Sequence, residues 1–329
     1  MTIYDIAKLA GVSASSVSRV INGKPGVNKE KRQVIEALLR ETNYVPDANA
    51  RSLVRQNSHT IGILTDDIET MHLNVTKSKI EHELMRSGYY CFVHFISGPE
   101  AIEEGVRTLA SLRVEGAIFL GLSFRYTQKV RDALQRFLPD TPVVMMHHKA
   151  PDLSNVYVVS VDQRIGFLNA VRFLYRKGRR HLAMLLNESR FSSSLIRSSF
   201  DDGVRAFSDM SGCVYSDIPE SVAAGEAAAE TLFREHPETD GVICSSDLIA
   251  IGILNYLERS GISVPEQVSV LGEDNSAFCL ACRPPLSSLD NMIPMSALLV
   301  ARTIVDAVEG RSPVRQTVLE MEIVERGTT

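Results

Sequence analysis

Between residues 60 and 271 short apolar runs alternate with longer amphipathic stretches, and no other feature limits the possible folds as strongly. The apolar runs span 60–64, 89–95, 116–120, 142–146, 156–161, 181–186, 241–244 and 268–271. Runs this short and this apolar suit strands covered on both faces. Helical spacing fills the gaps, most clearly at 77–86, 163–176, 223–234 and 248–259. Strand and helix in alternation predict an α/β fold with parallel sheets between helical layers. A body of about 270 residues is long for one such sheet, so two lobes are expected.

The first 58 residues follow another pattern. Thr2 can cap a helix with Asp5 in its first turn, and Ile3, Ile6, Ala7 and Ala10 share one face. Gly11 allows a sharp bend. Ser13 can cap a second helix with Val17, Val20 and Ile21 as its stripe, ended by Asn22-Gly23. Asn28 opens a third, with Val34, Ile35, Leu38 and Leu39 predicted to face inward. Three short helices with a glycine turn make a helix-turn-helix bundle, whose second helix enters the major groove of DNA. The outward residues there are Ala14, Ser15, Ser16, Ser18 and Arg19. Four are small enough for close approach, and Arg19 can make a bidentate contact to guanine. Charge agrees: residues 1–60 hold nine Lys/Arg against five Asp/Glu, a net of +4, while the remainder holds 26 against 35, a net of −9. A basic head on an acidic body suits a polyanionic partner. Pro46 then stops the third helix, and Asp47 can cap a short one over 48–55. A two-turn helix is marginal alone, so this segment is either a switch ordered by a partner or a plain linker.

The run from Thr2 to Leu64 closely resembles the start of the lactose/galactose repressor (LacI/GalR) family of bacterial transcription regulators. The resemblance implies that Ala14, Ser15, Ser16 and Arg19 read bases. It places Ala50 and Leu53 in a hinge helix, with Leu53 levering into the minor groove. Val54 stands where relatives often carry a basic residue. The body resembles the same family's effector domain, a two-lobed fold like that of periplasmic sugar-binding proteins. Its markers are Tyr175-Arg176-Lys177-Gly178-Arg179-Arg180-His181, Ser246-Asp247-Leu248-Ile249-Ala250-Ile251-Gly252, the segment 264–272 and Pro284-Pro285-Leu286-Ser287-Ser288-Leu289. The implied organisation is a DNA-binding domain over 1–46, a hinge and linker over 47–58, and an effector and dimerisation domain over 59–329. One lobe would take about 59–160 plus 292–320 and the other 162–290 plus 321–329, with crossovers near 160–162, 289–292 and 318–322. Implied partners are double-stranded operator DNA, a small polar effector (a sugar, sugar derivative or nucleoside) and a second copy of the chain, as a dimer or tetramer. No cofactor or metal is implied, and the setting is the cytoplasm.

Ligands of parallel sheets sit beyond the carboxyl ends of the strands. That rule points to Asp66, Asp67, Ser123, His147, His148, Asp162 and the segments 245–247 and 273–275. The family comparison narrows the candidates to His72, Asp162, Arg197, Ser246, Asp274 and Asn291. Asp274 matches an acid that binds ligand hydroxyls, Asn291 a polar residue at a crossover, and His72 a segment of aromatic stacking residues. Asp162 has a second reading as the cap of the helix at 163. Three positions depart from the family: Ser246 replaces asparagine, Glu273 a hydrophobic or aromatic residue, and Phe200 an arginine, with Arg197 one turn earlier. Two other classes of function compete. An enzyme is disfavoured by the absence of nucleophile-elbow, phosphate-loop and dinucleotide fingerprints, and Cys279-x-x-Cys282 lacks a second metal-binding pair. A periplasmic sugar-binding protein would carry an export signal where this chain carries the helix-turn-helix, and no run is long and apolar enough to span a membrane.

Overall fold

The computed structural model describes residues 2–21, 23–42, 58–68, 70–121, 127–146, 152–187 and 192–329. They fall into two compact units, Met1–Ser58 and His59–Thr329. Ala50 and Leu53, the helix expected over 48–55, Ser123, His147 and His148 lie outside the described residues.

In the first unit, helices α1 (Ile3–Leu9), α2 (Ala14–Ile21) and α3 (Lys29–Glu41) enclose Ile6, Ala7, Val17, Val20 and Ile35. Local chemistry sets each start. Thr2 and Asp5 close a capping box: the Thr2 amide donates to Asp5 Oδ2 at 2.7 Å, and the Asp5 amide to Thr2 Oγ1 at 3.3 Å. Donation from the Thr2 amide, and from its hydroxyl at 3.0 Å, holds the Asp5 carboxyl below its ordinary pKa. Ser13 Oγ accepts from the Ser16 amide at 3.3 Å, and Asn28 Oδ1 from the Glu30 amide at 2.8 Å. Gly11 makes the turn between α1 and α2 at φ +62°, a region glycine enters without strain. Val34 is a correction to the expected inward face. It is 48% exposed, because α3 turns its stripe through Ile35, Leu38 and Leu39 and residue 34 lies about 100° away on the helix.

The second unit has two six-stranded sheets. Lobe 1 is built from β1 (Thr60–Thr65), α4 (Met71–Arg86), β2 (Tyr90–Phe95), α5 (Ile102–Ser111), β3 (Gly116–Leu120), α6 (Gln128–Phe137), β4 (Val143–Met145) and β5 (Val156–Asp162). Lobe 2 is built from α7 (Gln163–Arg176), β6 (His181–Leu185), α8 (Ser193–Arg205), β7 (Ser211–Tyr215), α9 (Val222–Glu235), β8 (Gly241–Cys244), α10 (Asp247–Arg259), β9 (Ser269–Glu273) and β10 (Ser287–Asp290). Helix α11 (Ile293–Val308) returns to lobe 1, β11 (Gln316–Glu320) joins its sheet, and β12 (Glu322–Val324) joins the other.

The strand orders are β11-β5-β4-β3-β1-β2 and β12-β10-β9-β8-β6-β7. Every described pairing is parallel except β12 on β10. Each helix buries one stripe on its sheet. In α7 the buried residues Phe167, Ala170, Val171 and Leu174 fall at the helical repeat. Helix α11 buries Ala297, Val300, Ala301 and Ile304 among Ile61, Ile80 and Leu84 of lobe 1. The chain therefore passes between the lobes three times: from Asp162 into α7, from Asp290 into α11, and from Glu320 into β12.

Candidate functional site

Lobe 2 strands β8, β9 and β10 run parallel, so their carboxyl ends share one edge. Asp290 ends β10 at that edge, and Asp247 and Asp274 stand just beyond it. Facing them are Met71, His72, Val75 and Lys79 of α4 and Ile293 and Pro294 at the start of α11. Together with Glu220 they enclose a cavity of 280 Å³ between the lobes.

Asp247 supports this edge. It opens α10 and is 2% exposed. Its Oδ1 accepts from Ser288 Oγ at 2.6 Å, and its Oδ2 from the Ser276 amide at 2.7 Å and Cys279 Sγ at 3.1 Å. One carboxylate thus ties α10 to β10 and to the loop after β9. Gly272 makes room for it, since a Cβ there would fall 2.3 Å from Asp247 Oδ1. Burial raises the Asp247 pKa, Asp274 adds to the rise, and the bonds from Ser288, Ser276 and Cys279 oppose it. The Cys279 thiol is a donor in this network and is pushed up to about 12, mainly by burial. Cys282 instead bonds the Phe278 carbonyl. Among the described residues no group of three or more His, Cys, Asp or Glu could hold a metal ion.

Asp274 and Asn275 have φ of +106° and +48°. Such backbone costs about 1–3 kcal/mol and persists where its surroundings over-determine it. Here they do: the Asn275 amide donates to Ser288 Oγ at 3.0 Å and its Nδ2 to Asp290 Oδ2 at 3.0 Å. The bend turns the Asp274 carboxylate to Asn291, whose Nδ2 donates to Oδ1 at 2.8 Å. The same Nδ2 reaches Glu273 Oε1 at 3.3 Å, and Gln163 Nε2 donates to that oxygen at 2.9 Å. Glu273 is fully buried, so its charge needs such donors. Gln163 and Asn291 stand at the first and second crossovers, which share this one carboxylate. Across the cavity His72 Nδ1 lies 3.3 Å from Asp274 Oδ1.

The structure thus brings His72, Asp274 and Asn291 together. It gives the other three candidates different surroundings. Asp162 Oδ1 accepts from the Ile165 amide at 3.0 Å, the helix-cap reading of that residue. Ser246 is buried and caps α10 by accepting from the Ile249 amide at 3.3 Å. Arg197 is exposed on α8 and donates to Ser216 Oγ at 3.0 Å, while Phe200, in the arginine position of relatives, is buried in the lobe 2 core. None of the three lines the cavity. Sequence reasoning missed Lys79, Glu220 and Asp290. Lys79 was legible in principle, since it lies seven residues from His72 and hence on the same helix face.

In the head, Ser15 and Arg19 are exposed on α2 and Ser16 is half-buried. Ala14 packs partly against the head's core. The Arg19 guanidinium lies beside Gly26.

Comparison with known proteins accounts for both units. Residues 2–47 match the model for bacterial regulatory proteins, lacI family, and residues 171–329 that for a periplasmic binding protein-like domain. The chain thus carries a lacI-family DNA-binding domain followed by a periplasmic binding protein-like domain. An HTH-type transcriptional regulator of Lachnoclostridium phytofermentans is 27% identical, over 100% of this chain and 99% of that protein. The HTH-type transcriptional repressor PurR of Histophilus somni is 29% identical, over 88% of this chain and 86% of its own. The crystal structure of the Lac repressor dimer bound to operator and the anti-inducer ONPF has a TM-score of 0.88 at 22% identity, covering 100% of this chain and 98% of that one. The protein is a DNA-binding transcription regulator and not an enzyme. A free-standing sugar-binding protein does not account for residues 2–47. Among the described residues no helix is long and apolar enough to cross a membrane.

Proposed function

We propose that this regulator is a repressor that binds double-stranded operator DNA as a homodimer and changes operator affinity when a small polar molecule enters the cavity between its lobes. The supporting observation is the cavity itself: carboxylates at strand ends, an apolar wall opposite, and three chain crossovers joining the lobes that enclose it. A volume of 280 Å³ suits a monosaccharide-sized molecule or a nucleoside. Asp274 and Asn291 hold the ligand's hydroxyls in this reading, with His72 against it. Asp162 and Ser246 cap α7 and α10, and Arg197 lies outside the cavity. In the head, Ala14, Ser15, Ser16 and Arg19 face the bases, and Ala50 and Leu53 belong to a hinge helix that docks in the minor groove. The working limits are 1–46 for DNA binding, 47–58 for the hinge and linker, and 59–329 for effector binding and dimerisation. The setting is the cytoplasm, where operator and metabolite meet.

The test has two stages. A thermal-shift screen of sugars, sugar phosphates, polyols and nucleosides finds ligands that stabilise the folded chain by mass action. Each ligand found is then added to a mobility-shift assay on operator DNA. The reading predicts that one class both raises the melting temperature and changes operator affinity several-fold. Stabilising ligands that leave operator affinity unchanged refute the regulatory coupling, because linkage requires the effect to be reciprocal.

A further inference from the structure

We propose that His72 and Asp274 form a proton-sensitive latch between the two lobes of the cleft. His72 lies in the first turn of α4, which belongs to lobe 1. Asp274 follows β9, which belongs to lobe 2. Their side chains meet across the cavity at 3.3 Å with little exposure, 22% for the imidazole and 8% for the carboxylate. The contact therefore joins two lobes that are otherwise connected by the three crossovers. Asp274 cannot turn away to follow a moving partner. Its backbone is fixed at φ +106°, and Asn291 at the second crossover donates to the same oxygen that faces His72. Opening the cleft separates His72 from a stationary carboxylate.

The charges around His72 decide when the latch holds. From lobe 2 it faces Asp247 at the start of α10, Asp274 after β9, Asp290 at the end of β10 and Glu220 before α9. From lobe 1 it shares a helix face with Lys79, and α11 brings no charged residue in its first turn. The positive end of the α4 dipole opposes a cation in that helix's first turn. Among the described residues four carboxylates, one in direct contact, outweigh Lys79 and the dipole. A nearby opposite charge favours the charged form, so the closed cleft favours imidazolium. Closure takes up a proton. The latch is strong when His72 is charged and lapses as pH rises through its pKa. His72 is thus a positioning residue for the cleft, a different part from the stacking one that its segment plays in relatives.

The proposal gains its regulatory meaning from the effector reading of the cavity, yet its test uses no effector, so either can fail alone. Histidine-selective NMR of the full chain follows the imidazole titrations, and His72→Gln assigns the signal by its loss. In the wild type the His72 midpoint is expected above the ordinary value of about 6.5. In Asp274→Asn it is expected to fall by about one unit. Amide exchange then compares wild type with His72→Gln at matched pH. At pH ~5.5, below the ordinary imidazole value, segments 71–75 and 274–277 should exchange several-fold more slowly in the wild type. At pH ~8 the two proteins should match. An unmoved midpoint in Asp274→Asn overturns the pairing. An exchange difference equal at both pH values makes the contact a packing feature and overturns the proton dependence.

Discussion

Replacing Gly252 with alanine tests how closely the two helices behind the cavity must pack. A Cβ at Gly252 in α10 would lie 2.2 Å from the Val222 carbonyl oxygen, 2.6 Å from the Glu226 nitrogen and 2.8 Å from the Gly225 carbon. Ordinary contact begins at 3.4 Å, so the first overlap alone is 3.4 less 2.2, or 1.2 Å. All three atoms are backbone of α9 and its first turn, and none can rotate aside. Overpacking a tight interior costs about 1–3 kcal/mol, and backbone obstruction argues for the upper end. Alanine recovers about 1 kcal/mol of helix propensity. The expected net loss is about 2 kcal/mol. With a urea m-value of about 1–3 kcal/mol per molar, the unfolding midpoint should fall by about 1 M at unchanged m. Gly225→Ala meets the Ile249 carbonyl oxygen at 2.3 Å and should cost a similar amount. The double variant should cost less than the sum, because one widened gap serves both methyls. A Gly252→Ala midpoint at or above wild type refutes the packing argument. The same change should weaken ligand binding, since Glu220 leads into α9 and Asp247 opens α10.

Four further outcomes are expected. Arg19→Ala should lose about 1–3 kcal/mol on operator DNA and less on random duplex; equal losses in competition binding would make Arg19 a phosphate contact only. Asp274→Ala should abolish the response to whatever ligand the screen finds while operator binding persists, and unchanged titration calorimetry would remove Asp274 from the site. Asp247 has a folded pKa raised by burial, so its penalty is present at neutral pH and is relieved as pH falls through that raised value. Wild type should therefore gain stability relative to Asp247→Asn on acidification towards pH ~4, and a pH-independent difference between the two would contradict this. Leu53→Ala should weaken operator binding and reduce DNA bending in a circular-permutation gel assay; an unchanged bend would count against minor-groove insertion.

The α/β class and the three-helix head were legible because each rests on local chemistry. Apolar runs such as 116–120 need no tertiary knowledge, and the Thr2, Ser13 and Asn28 caps act within one turn. Less legible were elements whose burial depends on distant partners. Strand β10 reads Ser-Ser-Leu-Asp, which resembles a loop until Ser288 is seen bonding Asp247 and Ser287 bonding the Thr328 hydroxyl and Thr329. Helix α4 begins at Met71, six residues before the 77–86 pattern, because its first turns face the other lobe and break the amphipathic stripe. The same reason hid part of the site. Ser246 drew attention as a departure from a family pattern, yet its neighbour Asp247 reaches the cavity and Ser246 serves as the cap. Glu273 looked like an odd replacement for a hydrophobic residue. Only the meeting of Gln163 and Asn291 from two crossovers explains a buried carboxylate there.

The three crossings also bear on how such a chain can be inherited. Lobe 1 is assembled from the stretch before Gln163 together with α11 and β11, and lobe 2 from the stretch between them together with β12. No single cut in the gene yields either lobe whole. A recombination event that imports half of this body breaks both sheets at once, so the two lobes are passed on and altered only as a pair. The head is one uninterrupted stretch ending before the first strand. It can be exchanged in a single step for another with a different DNA preference. New target sites are thus reached by replacing a module, whereas new ligands must be reached by point changes inside an indivisible body.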